Sequence, residues 1–226
     1  MKLKSLNQLV LTTATCALLA NGLLTAQAAD SPFGGLGAAV TEAGKASLAN
    51  LGTQFTQAAS ASSDKVLGPL GGDLVSKYTA LDQSLSAGSA LKGQLTGTLQ
   101  SLIGGKDSAA LGTVFALSQA ANLTDTQKGL VKEAGNLTTA YVVQRNFASL
   151  DGASGDVATI VNSLRKGEVA PAVPAIQKVA QNANLTVPQK ALIGSVADKY
   201  APGLRKAKDS LQQGIQGIKS LPGFGN

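Results

Sequence analysis

The chain has 226 residues, 44% of them hydrophobic, which is enough for a buried core, but only 4% are aromatic and 26 are glycine. Any core is therefore built from small side chains that let helices approach closely, with less apolar burial per residue than large rings provide. The net charge of +6 comes from scattered Lys and Arg rather than dense clusters, which argues against a nucleic-acid binder. With no histidine and a single cysteine there is no ordinary Ser-His-Asp triad and no typical zinc site.

In chain order, residues 1–28 read as a signal peptide. Lys2 and Lys4 supply a positive start, Leu9 to Leu24 an apolar run, and Ala26-Gln27-Ala28 a small-x-small site that places cleavage before Ala29. Thr12, Thr13, Thr15, Asn21 and Gly22 interrupt a run already short for a membrane span. Cleavage removes Met1, Cys16, Lys2 and Lys4, so the net charge falls from +6 to +4 and no thiol reaches the oxidising compartment. The expected location is periplasmic or extracellular, and the short signal is of bacterial type. Residues 29–37, with Phe33-Gly34-Gly35-Leu36-Gly37, read as a flexible lead-in.

The rest of the chain repeats itself. Ala121-Asn122-Leu123-Thr124-Asp125-Thr126-Gln127-Lys128 returns as Ala183-Asn184-Leu185-Thr186-Val187-Pro188-Gln189-Lys190. In each copy Thr is a candidate N-cap and Gln three residues on can reach back to the cap, the pattern of a capping box. Pro188 falls in the first turn, where a missing N–H costs nothing. Leu51-Gly52-Thr53-Gln54-Phe55 matches Leu111-Gly112-Thr113-Val114-Phe115, and Ser60 to Lys65 stands as a degenerate third cap in which Ser or Asp can still act. Past each cap an aliphatic residue precedes Tyr by one helical turn: Leu74 and Tyr78, Leu137 and Tyr141, Val196 and Tyr200.

These signals predict an all-α fold, a stack of three divergent helical repeats of about 60 residues each behind the signal peptide. The expected units are 38–100, 101–162 and 163–226, packed as one domain. Leu130, Ala134, Leu137 and Tyr141 mark one apolar helix face, and Leu204, Ala207, Leu211, Ile215 and Ile218 another near the C-terminus.

Chemistry-bearing motifs are sparse. Asn122, Asn136 and Asn184 open Asn-x-Thr triplets, which the caps already explain. Ser-x-x-Lys occurs at Ser62, Ser89 and Ser163 without a companion Lys-Thr-Gly, and the only Glu residues are Glu42, Glu133 and Glu168. No catalytic, cofactor or metal residue is assigned. The candidate partner-binding residues are Tyr78, Tyr141 and Tyr200, one per unit in an aromatic-poor chain, with Lys77 and Lys199 beside two of them and Arg205 and Lys206 on the polar face of the C-terminal stripe. The competing role for each Tyr is to fill space between helices and send its hydroxyl to the surface.

The expected function is that of a non-enzymatic exported scaffold binding a protein or another envelope component, with no nucleic acid. Carriage of a lipid or small apolar ligand is the alternative. So is weak attachment to an anionic membrane surface through residues 204–219.

Overall fold

The computed structural model describes residues 42–202, with side chains from Leu48 onward. The signal peptide, the lead-in and the C-terminal stripe lie outside these residues. The described part is all-helical: α1 Glu42–Ser60, α2 Leu67–Ser84, α3 Ala90–Ile103, α4 Asp107–Leu117, α5 Asp125–Phe147, α6 Ser154–Arg165, α7 Val169–Ala180 and α8 Val187–Tyr200. Among the described residues there is no strand.

Both capping boxes form. Thr124 Oγ1 accepts from the Gln127 amide and Gln127 Oε1 from the Thr124 amide at the start of α5, and Thr186 and Gln189 do the same at α8. Each Gln has a second use that local sequence does not show. Gln127 Nε2 donates to the Ser84 carbonyl (2.7 Å) at the end of α2, and Gln189 Nε2 donates to the Asn146 carbonyl (2.8 Å) near the end of α5. Both contacts span 43 residues, so the start of one helix is fastened to the end of an earlier one in the same way twice.

The glycine turns also match. Gly105 (φ 70°) and Gly167 (φ 78°) occupy the left-handed region that only glycine enters without strain. The residue after each donates back into the preceding helix, Lys106 to Ser101 and Glu168 to Ser163. Ahead of α2, Asp64 Oδ1 accepts from the Val66 amide (2.8 Å), while the N-cap Val66 has no side-chain cap of its own.

Tertiary packing is less regular than these local ties. Helix α5 is the centre, lying against α2 and α6 along much of its length and against α4 and α8. From Ala134 to Gln144 every residue of α5 is buried, so the expected single apolar face at Leu130, Ala134, Leu137 and Tyr141 is part of a helix enclosed all round. The contact of α2 with α5 is extensive, whereas α5 and α8 meet over a short stretch. The expected unit boundaries at 100/101 and 162/163 fall inside α3 and α6; the breaks before each of these helices are at 85–89 and 148–153.

Helices α1 and α2 come into close contact at two glycines. A methyl at Gly71 would lie 2.7 Å from the Ala59 Cβ, and one at Gly52 would lie 2.8 Å from a Val75 methyl. The apolar stripe of α1 (Leu48, Leu51, Phe55, Ala59) meets that of α2 (Leu67, Leu70, Leu74, Tyr78) across this contact.

Candidate functional site

The three tyrosines do not share one environment. Tyr78 is fully buried and its hydroxyl is 2.8 Å from Thr138 Oγ1 on α5. The Thr138 proton is committed to the Ala134 carbonyl, so Tyr78 is the donor. Tyr200 reaches α5 next to it: its hydroxyl is 3.2 Å from Thr139 Oγ1 and 3.0 Å from the Asn136 amide oxygen position. The expectation that each hydroxyl points outward thus gives way, at Tyr78 and Tyr200, to hydroxyls turned onto adjacent threonines of α5. These threonines and Asn136 are buried polar groups that need partners.

Asn136 itself is 3% exposed and its amide nitrogen position has no partner. Turning the amide over gives a continuous chain in which Asn136 Nδ2 donates to Tyr200, Tyr200 to Thr139, and Thr139 to the Gly135 carbonyl. This burial also leaves the second Asn-x-Thr triplet without access for a glycan.

Lys77 pairs with Glu133 (2.5 Å) on the surface between α2 and α5. Lys199 donates to Ser118 Oγ (2.7 Å) and lies 5.4 Å from the Phe115 ring centre on α4, with Tyr200 meeting the same ring edge-on. Arg205 and Lys206 lie outside the described residues. The structure therefore brings Lys199 and Tyr200 together with α4, places Lys77 and Tyr78 on α2, and holds Tyr141 apart from both groups.

Tyr141 stands at one end of the bundle, where polar groups face an open cleft. This cleft, about 520 Å³, is bounded by the last turns of α1, α3 and α5 and by residues 62–64. Phe55, Leu67 and Leu102 form its apolar wall; Asp64, Gln144, Arg145 and Tyr141 form the polar one. The Tyr141 ring packs on Phe55 at 4.8 Å between centroids, with the Arg145 guanidinium 5.3 Å over it. Burial pushes the Tyr141 phenol up and holds the Arg145 guanidinium below its ordinary value.

Arg145 is anchored by Asp107, the first residue of α4. Its Nε is 3.1 Å from Asp107 Oδ2, a second nitrogen pairs with Oδ1, and Nη1 donates to the Leu102 carbonyl (2.8 Å). Asn146 Nδ2 adds a bond to the same carboxylate (2.7 Å). Asp64 accepts from Gln144 Nε2 (2.6 Å) and from the Val66 amide. No family model, curated protein or solved structure matches the chain.

Sequence reasoning missed this cluster, because Arg145, Asp107 and Asp64 are far apart in the chain and none belongs to a motif. A weaker signal existed for one other buried pair. Lys92 sits on the apolar stripe of α3 with Leu95, Leu99 and Leu102, a place where a lysine must find a partner. It pairs with Asp82 Oδ1 (3.1 Å) and donates to the Asp82 carbonyl (2.6 Å) at the end of α2. Its Ser-x-x-Lys neighbour Ser89 caps α3 through the Leu91 amide.

Proposed function

We propose that the chain is exported, is cleaved after Ala28, and serves as a non-enzymatic interaction scaffold in the envelope or outside the cell, made of three related units of about 60 residues. The observation that carries this reading is the use made of the polar residues. Arg145 with Asp107, Lys92 with Asp82, Arg165 with Asp73, Tyr78 with Thr138 and Tyr200 with Thr139 each join two helices. A chain whose polar side chains are spent on holding helices in register suits a rigid platform for a partner. Large apolar side chains left outside support the same reading, with Val66 and Ile103 beside the cleft and Val187 81% exposed at the start of α8.

The test has two parts. N-terminal sequencing of the protein from its source cells is expected to give Ala29, and retention of Met1 would remove the export reading. A photocrosslinker placed in turn at Ile103, Val187 and Lys190 is then expected to join an envelope component from a subset of these positions. Equal labelling of abundant bystanders from all three would remove the scaffold reading. A lipid recovered by solvent extraction would favour the carrier alternative instead.

A further inference from the structure

The cleft between the ends of α1, α3 and α5 has an electrostatic character of its own. Three helix C-termini border it, each contributing roughly half a negative charge from carbonyls that no longer have helical partners, and the start of α2 at Leu67 contributes one opposing partial positive charge. Arg145, the one cation in its wall among the described residues, is matched by the Asp107 carboxylate and the Leu102 carbonyl. Asp64 lies just ahead of the start of α2 and among the described residues has no cation against it: the donors it holds, Gln144 and the Val66 amide, are neutral. The lysines next to the cleft in sequence, Lys65 and Lys106, are not part of its lining.

A second observation concerns Tyr141. The residue is 3% exposed and lines the cleft, its ring packs on Phe55 with the Arg145 guanidinium 5.3 Å from its centre, and its hydroxyl makes no hydrogen bond to the described residues. Ser62, Ser63 and Ser149 add hydroxyls along the wall, while Phe55, Leu67 and Ile103 supply an apolar surface beside them. A site with one carboxylate held only by neutral donors, neutral oxygen acceptors and an apolar wall suits a cation with a hydrocarbon stem.

We propose that this cleft binds a primary ammonium group on a short alkyl chain, with the Asp64 carboxylate as counter-ion, the Tyr141 hydroxyl as a further acceptor, and the stem along Phe55, Leu67 and Ile103. The chemistry is shared by a free alkylamine and by the lysine side chain of a partner. The proposal does not depend on the scaffold reading, since a small amine needs no partner protein.

The test is titration of the isotope-labelled full chain with n-hexylamine, n-hexanol and n-hexanoate, followed by amide chemical shifts. Hexylamine is expected to give saturable shifts at Asp64, Tyr141, Gln144 and Ser149, with hexanol and hexanoate much weaker. Asp64→Asn keeps an acceptor for the Val66 amide and is expected to weaken hexylamine binding about tenfold or more. Tyr141→Phe keeps the ring and is expected to weaken it about threefold. Should Asp64→Asn disturb the fold, Ala58→Phe from the exposed lip of the cleft is expected to block binding with Asp64 intact. Blocked lysine (N-acetyl-lysine methylamide) binding as well as hexylamine points to a partner's side chain; hexylamine alone points to a free amine. Hexanoate binding as tightly as hexylamine, or full affinity in a folded Asp64→Asn variant, would overturn the proposal.

Discussion

Tyr78 and Thr138 share a 2.8 Å hydrogen bond in the interior, and one residue further along α5 Thr139 meets Tyr200 at 3.2 Å, so two helices are pinned to the central one at adjacent residues. The pins are polar, the first buried and the second partly so, which gives them a pH signature. Burial pushes the Tyr200 phenol up to about 12, opposed by its bond to Thr139, and pushes Tyr78 higher still. The unfolded chain releases these protons near pH 10, while the folded chain keeps them. Stability from this source is fully present below about pH 10 and is lost as pH rises toward and beyond 12. Denaturant unfolding measured between neutral pH and the alkaline limit is expected to show that decline, and Tyr200→Phe is expected to make it shallower. No decline above pH 10 would contradict the burial of both phenols.

Lys92 and Asp82 form the second enclosed tie, with side chains 3% and 9% exposed. Removing one partner leaves a charge in the core, so Lys92→Met alone is expected to cost about 3–5 kcal/mol. Replacing both, Lys92→Met with Asp82→Leu, is expected to recover much of that loss because no buried charge remains. A double-mutant cycle by chemical denaturation checks this, and additive single losses would mean the two groups do not interact.

The capping boxes allow a finer prediction. Thr124→Ala and Thr186→Ala are each expected to cost about 1 kcal/mol, and the Ser replacements much less. Gln127→Ala and Gln189→Ala are expected to cost more than a cap residue alone, since each also breaks the bond to Ser84 or Asn146. Thermal midpoints of the paired variants give the order, and a Gln loss smaller than the Thr loss would remove the inter-helix role.

Adjacent glycines in α2 should respond in opposite directions. Gly71→Ala places a methyl 2.7 Å from the Ala59 Cβ, which belongs to a fixed backbone position, and is expected to lower stability by about 1–3 kcal/mol. Gly72 has open space around its added Cβ, so Gly72→Ala is expected to raise stability by about 0.5–1 kcal/mol through helix propensity. Gly52→Ala should fall between them, because the Val75 methyl it meets is on a side chain that can rotate. Equal effects at Gly71 and Gly72 would contradict the close crossing of α1 and α2.

What the sequence by itself determined is local. Thr124 with Gln127, Thr186 with Gln189 and Pro188 define helix starts through hydrogen bonds between residues a few positions apart, and Gly105 and Gly167 define stops through backbone freedom, so both are readable without the fold. The all-helical class follows from the same signals. Tertiary structure alone decided which helix became central. The stretch from Ala134 to Gln144 mixes Asn136, Thr138, Thr139 and Gln144 with apolar residues, and such a stretch is tolerated in the interior only when Tyr78, Tyr200 and Asp64 arrive from distant parts of the chain to bond it. The cleft is decided at the same level. Asp64, Asp107 and Arg145 carry no shared motif, and a charge pair becomes strong only when packing removes water from around it, which no spacing in the sequence records.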